Sequence, residues 1–427
     1  MSLHDVWPPA WDEPVIYHPV QAKLLSDNIR FKVVPGGRRS GKTFHAKRNL
    51  VLSAMSVPGM YFAAAPVRDQ AKKIFWKDLG LLIPQWFMAG DPSKTDLIFY
   101  LKNGSEIHVI GLDKPARIEG QPWIGGVIDE IADCKEETWA EHIRPAFDTI
   151  GVNTWAWLIG VPEGLNFYYD LYQYAITAKD PEWAGYTWKS ADLLPKSVID
   201  AAKRQLSPRQ FRQEYEAAWE NATGRVYEDY STLNHTDKVF DPAMGDIILT
   251  CDQNYTPMSS AIIQRDKDVL YVIDEIILNS AVAKQVALEF CDRYKDYKQC
   301  QVIIYGDAYG HIGEKHGHQS DYLEIERILK QEGFRVRMKA PRRNPAIKDG
   351  QNSLRAKICN AAEERTLFVN PSKCKYVDKG LATVQLKKGS SFLEEDSEFQ
   401  HVTTALRYFT SEEYPIKNKG SIASAQW

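Results

Sequence analysis

Residues Gly36 to Thr43 read GGRRSGKT, which fits the spacing G-x-x-x-x-G-K-[ST]. Each residue type there suits a polyphosphate. Gly36, Gly37 and Gly41 let the loop, Arg38, Arg39 and Ser40 included, turn backbone N–H groups inward around phosphate oxygens. The helix expected to begin near Lys42 adds its positive end. Lys42 reaches the β- and γ-phosphates of ATP, and the Thr43 hydroxyl holds Mg²⁺. A second stretch, GGVIDE, ends in Asp129 and Glu130. Asp129 would hold Mg²⁺ through water and Glu130 would polarise the attacking water; the plain alternative is two solvated acids at a strand end. Gln21, just before the loop, could read an adenine edge or be a solvated helix glutamine. Arg38 or Arg39 could lay a guanidinium on the γ-phosphate, bind DNA, or meet a neighbouring subunit.

Downstream, Asp252 in LTCDQN and Asp307 in IIYGDAYG each follow a strand-forming run. The runs follow the order β-β-β-α-β, in which the crossover helix returns the chain beside the first strand. Acids ending strands one and four would then face each other. Two carboxylates that close repel unless a divalent cation lies between them, the arrangement of a two-metal phosphodiesterase site. A strand-end turn acid is the alternative for each. Glu275, in VIDEIIL, is expected two strands from Asp252 and is read as structural.

These residues need elements to hold them. FKVV, MYFAAAP, IGGVIDE and TWAWLIGVP read as strands, TFHAKRNLVLSAMS and VRDQAKKIFWKDLGLLI as helices, and DLIFYLKNGSEIHVIG as a hairpin turning at Asn103-Gly104. That alternation, to about Gly185, predicts an α/β domain with a mostly parallel sheet. PKSVIDAAKRQLSPRQFRQEYEAAWE is rich in helix formers and predicts a small helical linker, broken at Asn221 to Gly224. From about Asp246 come DIILTCD, SSAIIQ and VLYVIDEIIL as strands, the last two joined at RDKD, then the helix AVAKQVALEFCDRYKDY and the strand QVIIYGD. After Tyr414 the tail is polar and aperiodic and is expected to be disordered.

The chain has 427 residues, 44% hydrophobic and 26% charged, so two domains and an ordinary globular composition are expected. A net charge of −3 excludes a global polycation, so DNA contacts must come from local patches. The basic run from Lys330 to Lys357 suits phosphates or a solvated face. His311, His316 and His318 follow Asp307 at spacings unlike a zinc site. The six cysteines form no C-x-x-C pair and read as reduced structural thiols in a cytosolic protein. The first residues lack the apolar core of a signal peptide, and no run of 18 apolar residues predicts a membrane span.

With these residues in place the chain resembles the large terminase subunit of tailed bacteriophages. The stretches that carry the resemblance are GGRRSGKT, GGVIDEIADCKEETWAEHIRPAF, GVPEGLNFYYDLY, RQFRQEYEAAWENATGRVYEDY and HVTTALRYF. The resemblance implies a P-loop ATPase domain at 1–188, a helical linker at 189–235, an RNase H-like nuclease domain at 236–414 and a tail at 415–427. It also implies a motor that hydrolyses ATP to move double-stranded DNA into a procapsid through the portal and cuts the concatemer. Its implied setting is the host-cell cytoplasm, docked transiently at the portal and absent from the mature virion. The implied partners are the portal, the small terminase subunit and further copies in a ring, a pentamer by family expectation. GVPEGLN stands at the family's coupling motif, with Val161 where threonine is usual, so coupling falls to Glu163 or Asn166. Thr404 stands where the C-terminal helix usually carries an acid. This leaves His401 and Asp396 as candidates for a third nuclease metal ligand beside Asp252 and Asp307. Histidine is a neutral ligand and a poorer Mg²⁺ partner than carboxylate, so a weak, Mn²⁺-preferring or restrained nuclease is expected. Rival readings are a helicase or repair ATPase with an RNase H-like domain, and an ATP-regulated docking module with vestigial nuclease acids.

Overall fold

The computed structural model describes residues 8–12, 18–148, 153–220, 224–253, 257–311, 320–388 and 390–416. The chain divides into two compact units, one running up to Ile199 and resuming over Arg212–Asn221, the other formed by Asp200–Phe211 and the chain from Ala222.

The first unit is built on seven strands: β1 (Phe31–Pro35), β2 (Met60–Ala65), β3 (Ile98–Tyr100), β4 (Glu106–Gly111), β5 (Trp123–Asp129), β6 (Trp155–Gly160) and β7 (Trp183–Gly185). They lie in the order β3-β4-β2-β5-β6-β1-β7. Every neighbouring pair is parallel except the β3–β4 hairpin, which turns at Gly104 as expected. All of β1 is buried, as a strand covered on both faces must be. The helix Lys42–Ser56 follows it and buries Ala46, Leu50, Val51 and Ala54, one stripe at helical spacing. Burying Leu50 and Val51 completely stabilises this packing by about 1.5–3 kcal/mol each. The expected helix after β2 runs from Arg68 to Leu82 with a wide turn at Lys72–Trp76, and it buries Ala71, Phe75, Leu79 and Leu82. β7 was not expected: three residues, WAG, are too few to show a pattern, and only pairing with β1 makes them a strand.

The second unit holds β8 (Ile247–Asp252), β9 (Met258–Asp266), β10 (Val269–Leu278), β11 (Gln301–Gly306), β12 (Arg335–Met338) and β13 (Leu367–Val369), in the order β12-β11-β8-β9-β10-β13. β8, β9 and β10 form an antiparallel meander whose second turn is two residues, with Lys267 in the left-handed region. The helix Ala283–Tyr294 then carries the chain back, so β11 lies parallel to β8. The predicted adjacency of strands one and four therefore holds. The helix Gln400–Glu413 buries Val402, Ala405, Leu406 and Phe409, three of which share a core with Ile248 of β8 and Tyr305 of β11. β12 and β13 were not expected, being short edge strands.

The helix-rich stretch forms two short helices, Lys196–Gln205 and Pro208–Tyr215. All six cysteines are unpaired, and five are buried. Among the described residues no helix is long and apolar enough to cross a membrane.

Candidate active sites

The P-loop leaves the carboxyl end of β1 and closes at Gly41, whose φ of +84° is a left-handed conformation suited to glycine. It is held from outside. Gly36 N–H donates to the Gly160 carbonyl (3.1 Å), Gly37 N–H to Trp188 (3.0 Å) and Arg38 N–H to Glu214 (2.5 Å). A side chain on Gly37 would put its Cβ 2.3 Å from Ser190 Oγ, so nothing larger than glycine fits this wall. The Ser40 hydroxyl donates to the Gly37 carbonyl (2.6 Å), and the Ser40 carbonyl accepts from Gln21 Nε2 (2.7 Å) and Trp188 Nε1 (2.8 Å). Lys42 Nζ curls over the loop and donates to the carbonyls of Gly36 (2.8 Å) and Gly37 (2.7 Å).

Two loop expectations change in detail. Gln21 is not a solvated glutamine: it is 1% exposed, with its amide nitrogen on Ser40 and its oxygen accepting from His18 N–H (3.0 Å). Both ends of the amide brace the loop, so reading an adenine edge would require one of these bonds to break. Arg38 does not project freely; its guanidinium pairs with Glu214 at 2.7 Å. Arg39 is exposed, at φ +57°.

Asp129 and Glu130 end β5, one strand removed from β1 across β6, so their carboxylates emerge on the same edge of the sheet as the loop. The Thr43 hydroxyl donates to Asp129 Oδ2 at 2.8 Å, and Asp129 Oδ1 accepts from Glu130 N–H at 2.9 Å. Asp129 is 4% exposed. Burial and the Glu130 charge push its carboxyl up to about 6, against the opposing pull of Thr43, Lys42 and Lys47. The solvated-acid alternative therefore fails for Asp129. A buried carboxylate held at such a cost against the loop threonine suits a bound cation beside phosphates. Glu130 sits at φ +55°, a conformation that costs a non-glycine residue energy.

Val161 follows β6, and Asn166 caps the next helix, Phe167–Thr177, accepting from the N–H groups of Tyr168 (3.1 Å) and Tyr169 (3.3 Å). Its amide nitrogen donates to the Ala132 carbonyl at 3.1 Å, two residues beyond Glu130. Of the two polar groups put forward for coupling, Asn166 thus has a direct tie to the acid-bearing turn.

In the second unit, β8 and β11 pair with Gly306 opposite Cys251, which sets Asp307 beside Asp252. Burial raises the Asp307 carboxyl and the Asp252 charge adds to it, while N–H groups of Gly310 and Tyr309 work the other way. His401 Nδ1 lies 2.9 Å from Asp252 Oδ2. The expected third ligand is corrected on one point: Asp396 does not join the pair but stands in solvent, its side chain 93% exposed and 3.7 Å from Lys387 Nζ. Thr404 is buried and accepts from Arg407, which pairs with Glu394 at 2.6 Å. Among the described residues no group of three or more His, Cys, Asp or Glu is disposed to hold a metal.

Sequence reasoning missed Gln253, next to Asp252. Both polar atoms of its amide are buried and have no hydrogen-bond partner among the described residues, and its Oε1 lies 2.6 Å from where a Cβ on Gly310 would be. An orphaned amide oxygen beside Gly310, whose N–H donates to Asp307 Oδ1 at 2.9 Å, suits a cation's oxygen shell next to the acid pair. Glu275 is structural, as expected: its carboxylate accepts from the N–H groups of Tyr376 and Val377, both at 2.9 Å, at the start of the helix Lys375–Thr383. His311 binds the Ala340 carbonyl (3.0 Å), while His316 and His318 lie outside the described residues, as does the tail from residue 417.

Residues 34–230 match the family model for the N-terminal part of terminase large subunits of the T4likevirus type. The terminase large subunit of Escherichia phage T5 is 24% identical over 289 residues, covering 62% of this chain and 64% of its own length. That of Thermus phage G20c is 24% identical over 251 residues, 51% of each. The matches thus span less than two thirds of these curated relatives. Among solved structures, the large terminase of a thermophilic bacteriophage shares the fold with a TM-score of 0.63, over 93% of this chain and 99% of that one, at 15% identity. The arginine-bearing P-loop, the acid pair ending β5 and these matches agree: the chain is similar to the large terminase subunits of bacteriophages in its first half by sequence and in its fold.

Proposed function

We propose that this chain hydrolyses ATP to drive double-stranded DNA into a procapsid and cuts that DNA with a metal-dependent endonuclease. The observation that carries the reading is the 2.8 Å bond from Thr43 to Asp129, which joins the phosphate loop to the acid pair. The large terminase of the thermophilic phage is known in complex with ATP-γ-S, and the same nucleotide class suits Gly36 to Thr43 here. Loop N–H groups and Lys42 bind the phosphates, Lys42 exchanging the Gly36 and Gly37 carbonyls for them. Thr43 and, through water, Asp129 would hold Mg²⁺, which when bound neutralises charge on the phosphates. Glu130 polarises the attacking water. Arg38, on leaving Glu214, places its guanidinium on the γ-phosphate. Asn166 passes the state of the acid-bearing turn to the helix it caps.

Asp252 and Asp307, with His401 and Gln253 beside them, would hold the nuclease ions, Mg²⁺ or Mn²⁺. One subunit cannot hold a moving duplex without interruption, so a ring of copies, a pentamer, acts at the portal with the small terminase subunit, in the host cytoplasm. A packaging assay with procapsids and linear duplex tests the whole reading. ATP-dependent protection of the DNA from added nuclease is expected. Failure to consume ATP with duplex and viral partners supplied would overturn it.

A further inference from the structure

The basic run from Lys330 to Lys357 is largely spent within the second unit. Lys330 pairs with Glu326, Lys339 with Glu413, Arg335 donates to the Gln299 carbonyl, Arg355 is buried against the Val226 carbonyl, and Lys357 lies over the Tyr414 ring. Arg342 and Arg343 differ. Both are exposed, and among the described residues neither has an ion pair. With Ala308, Tyr309, His311 and Asn344 they line a cavity of about 730 Å³, and among the described residues no acid lines it.

That cavity opens directly beyond Asp307. The Asn344 side-chain oxygen accepts from Ala308 N–H at 2.6 Å, and His311 binds the Ala340 carbonyl, so the arginine-bearing segment is pinned to the turn that carries the acid. Tyr309 stands 70% exposed at the rim. Two guanidiniums without an ion pair and an exposed aromatic face are the two recognition elements of a nucleic-acid strand, one for phosphates and one for a base.

We infer that the Tyr309–Arg342–Arg343 cavity is a DNA-strand subsite of the nuclease: the two arginines hold backbone phosphates beside the scissile bond, and Tyr309 stacks on an unpaired base at a cut or frayed end. The inference rests on the nuclease reading of Asp252 and Asp307. The pinning through Asn344 and His311 keeps the subsite in register with Asp307.

The test uses the full chain and fluorescein-labelled duplexes of about 30 base pairs, longer than a standard protein–DNA footprint, blunt or with a short single-stranded overhang, titrated in EDTA across a salt series. Arg342→Ala/Arg343→Ala is expected to lower the slope of log affinity against log salt by about 2, one phosphate per arginine. The wild type is expected to prefer the overhang. Tyr309→Ala should weaken overhang binding about tenfold and erase that preference, whereas Tyr309→Phe should keep it. Melting curves like the wild type's establish that the variants fold. A wild-type salt slope in the double variant, or an overhang preference that survives Tyr309→Ala, overturns the subsite. Cleavage in Mg²⁺ or Mn²⁺ separates the two readings. If the wild type cuts but the double variant binds normally, only the subsite falls. If the slope drops but the wild type never cuts, the cavity binds DNA and the nuclease reading falls.

Discussion

Replacing Asp129 by asparagine is expected to make the folded chain more stable while stopping the proposed ATP hydrolysis. The carboxyl lies 4% exposed beside Glu130, and its pKa is pushed from an ordinary 3.8 to about 6. The native state therefore holds a proton more tightly than the unfolded state, and stability falls as pH rises from about 4 to about 6. Above that window the full cost is present. At about 1.36 kcal/mol per pH unit the cost is on the order of 3 kcal/mol at pH 8. Asparagine fits the same bonds. Its oxygen takes Glu130 N–H, and its NH₂ donates to Thr43, whose hydroxyl accepts as readily as it donates. The measurement is urea unfolding in EDTA, followed by tryptophan fluorescence. Of the 12 tryptophans all but Trp427 precede residue 220, so the signal reports on the first unit. Asp129→Asn should gain about 2–3 kcal/mol at about pH 8 and almost nothing at about pH 4. Equal stability at the higher pH, or a gap that does not close on acidification, would refute the burial argument.

Glu130→Ala should lower ATP turnover by about 10²–10⁴-fold while leaving nucleotide binding intact, since the base is lost and the loop remains; a radiolabelled-phosphate release assay beside a binding titration decides it. Asp307→Ala should abolish DNA cleavage in Mg²⁺ and Mn²⁺ and keep ATP hydrolysis, and unchanged cleavage would remove Asp307 from the metal site. Glu214→Ala leaves Arg38 without its carboxylate where the two side chains are only 21% and 12% exposed. A loss of about 1–3 kcal/mol in the same urea experiment is expected, between the surface and buried ranges for ion pairs. A double-mutant cycle with Arg38→Met should assign most of it to the pair, and a coupling near zero would show that Arg38 does not need Glu214.

The first phosphate site was legible because its chemistry is local. Eight consecutive residues, Gly36 to Thr43, carry the loop, and a strand-end Asp-Glu carries the acids. The second site was legible only through topology, since Asp252 and Asp307 are distant in sequence and only the β8–β11 register unites them. What escaped notice was long-range and small. β7, β12 and β13 are three or four residues each and are strands only because a longer neighbour offers its edge. Gln253 has no motif; its burial next to Asp252 is a property of the turn at Gly310. Asp396 was a candidate only because Thr404 left the third ligand open, but the chain before the helix Gln400–Glu413 turns it into solvent. Arg38 read as a finger because a guanidinium in a phosphate loop suggests one. Its partner, Glu214, lies far along the chain, where no pattern ties it to the loop.

The outer wall of the phosphate loop comes late in synthesis. Trp188, Ser190 and Glu214 follow the last strand of the first sheet, yet they hold Gly37, Arg38 and Ser40 in place. A fragment ending at Gly185 would contain every residue of the phosphate-loop motif and the acid pair, yet leave the loop without that support. On a ribosome, likewise, the cradle cannot set until the chain past residue 214 has emerged, so premature termination upstream yields a polypeptide that carries the signature but lacks the shaped loop.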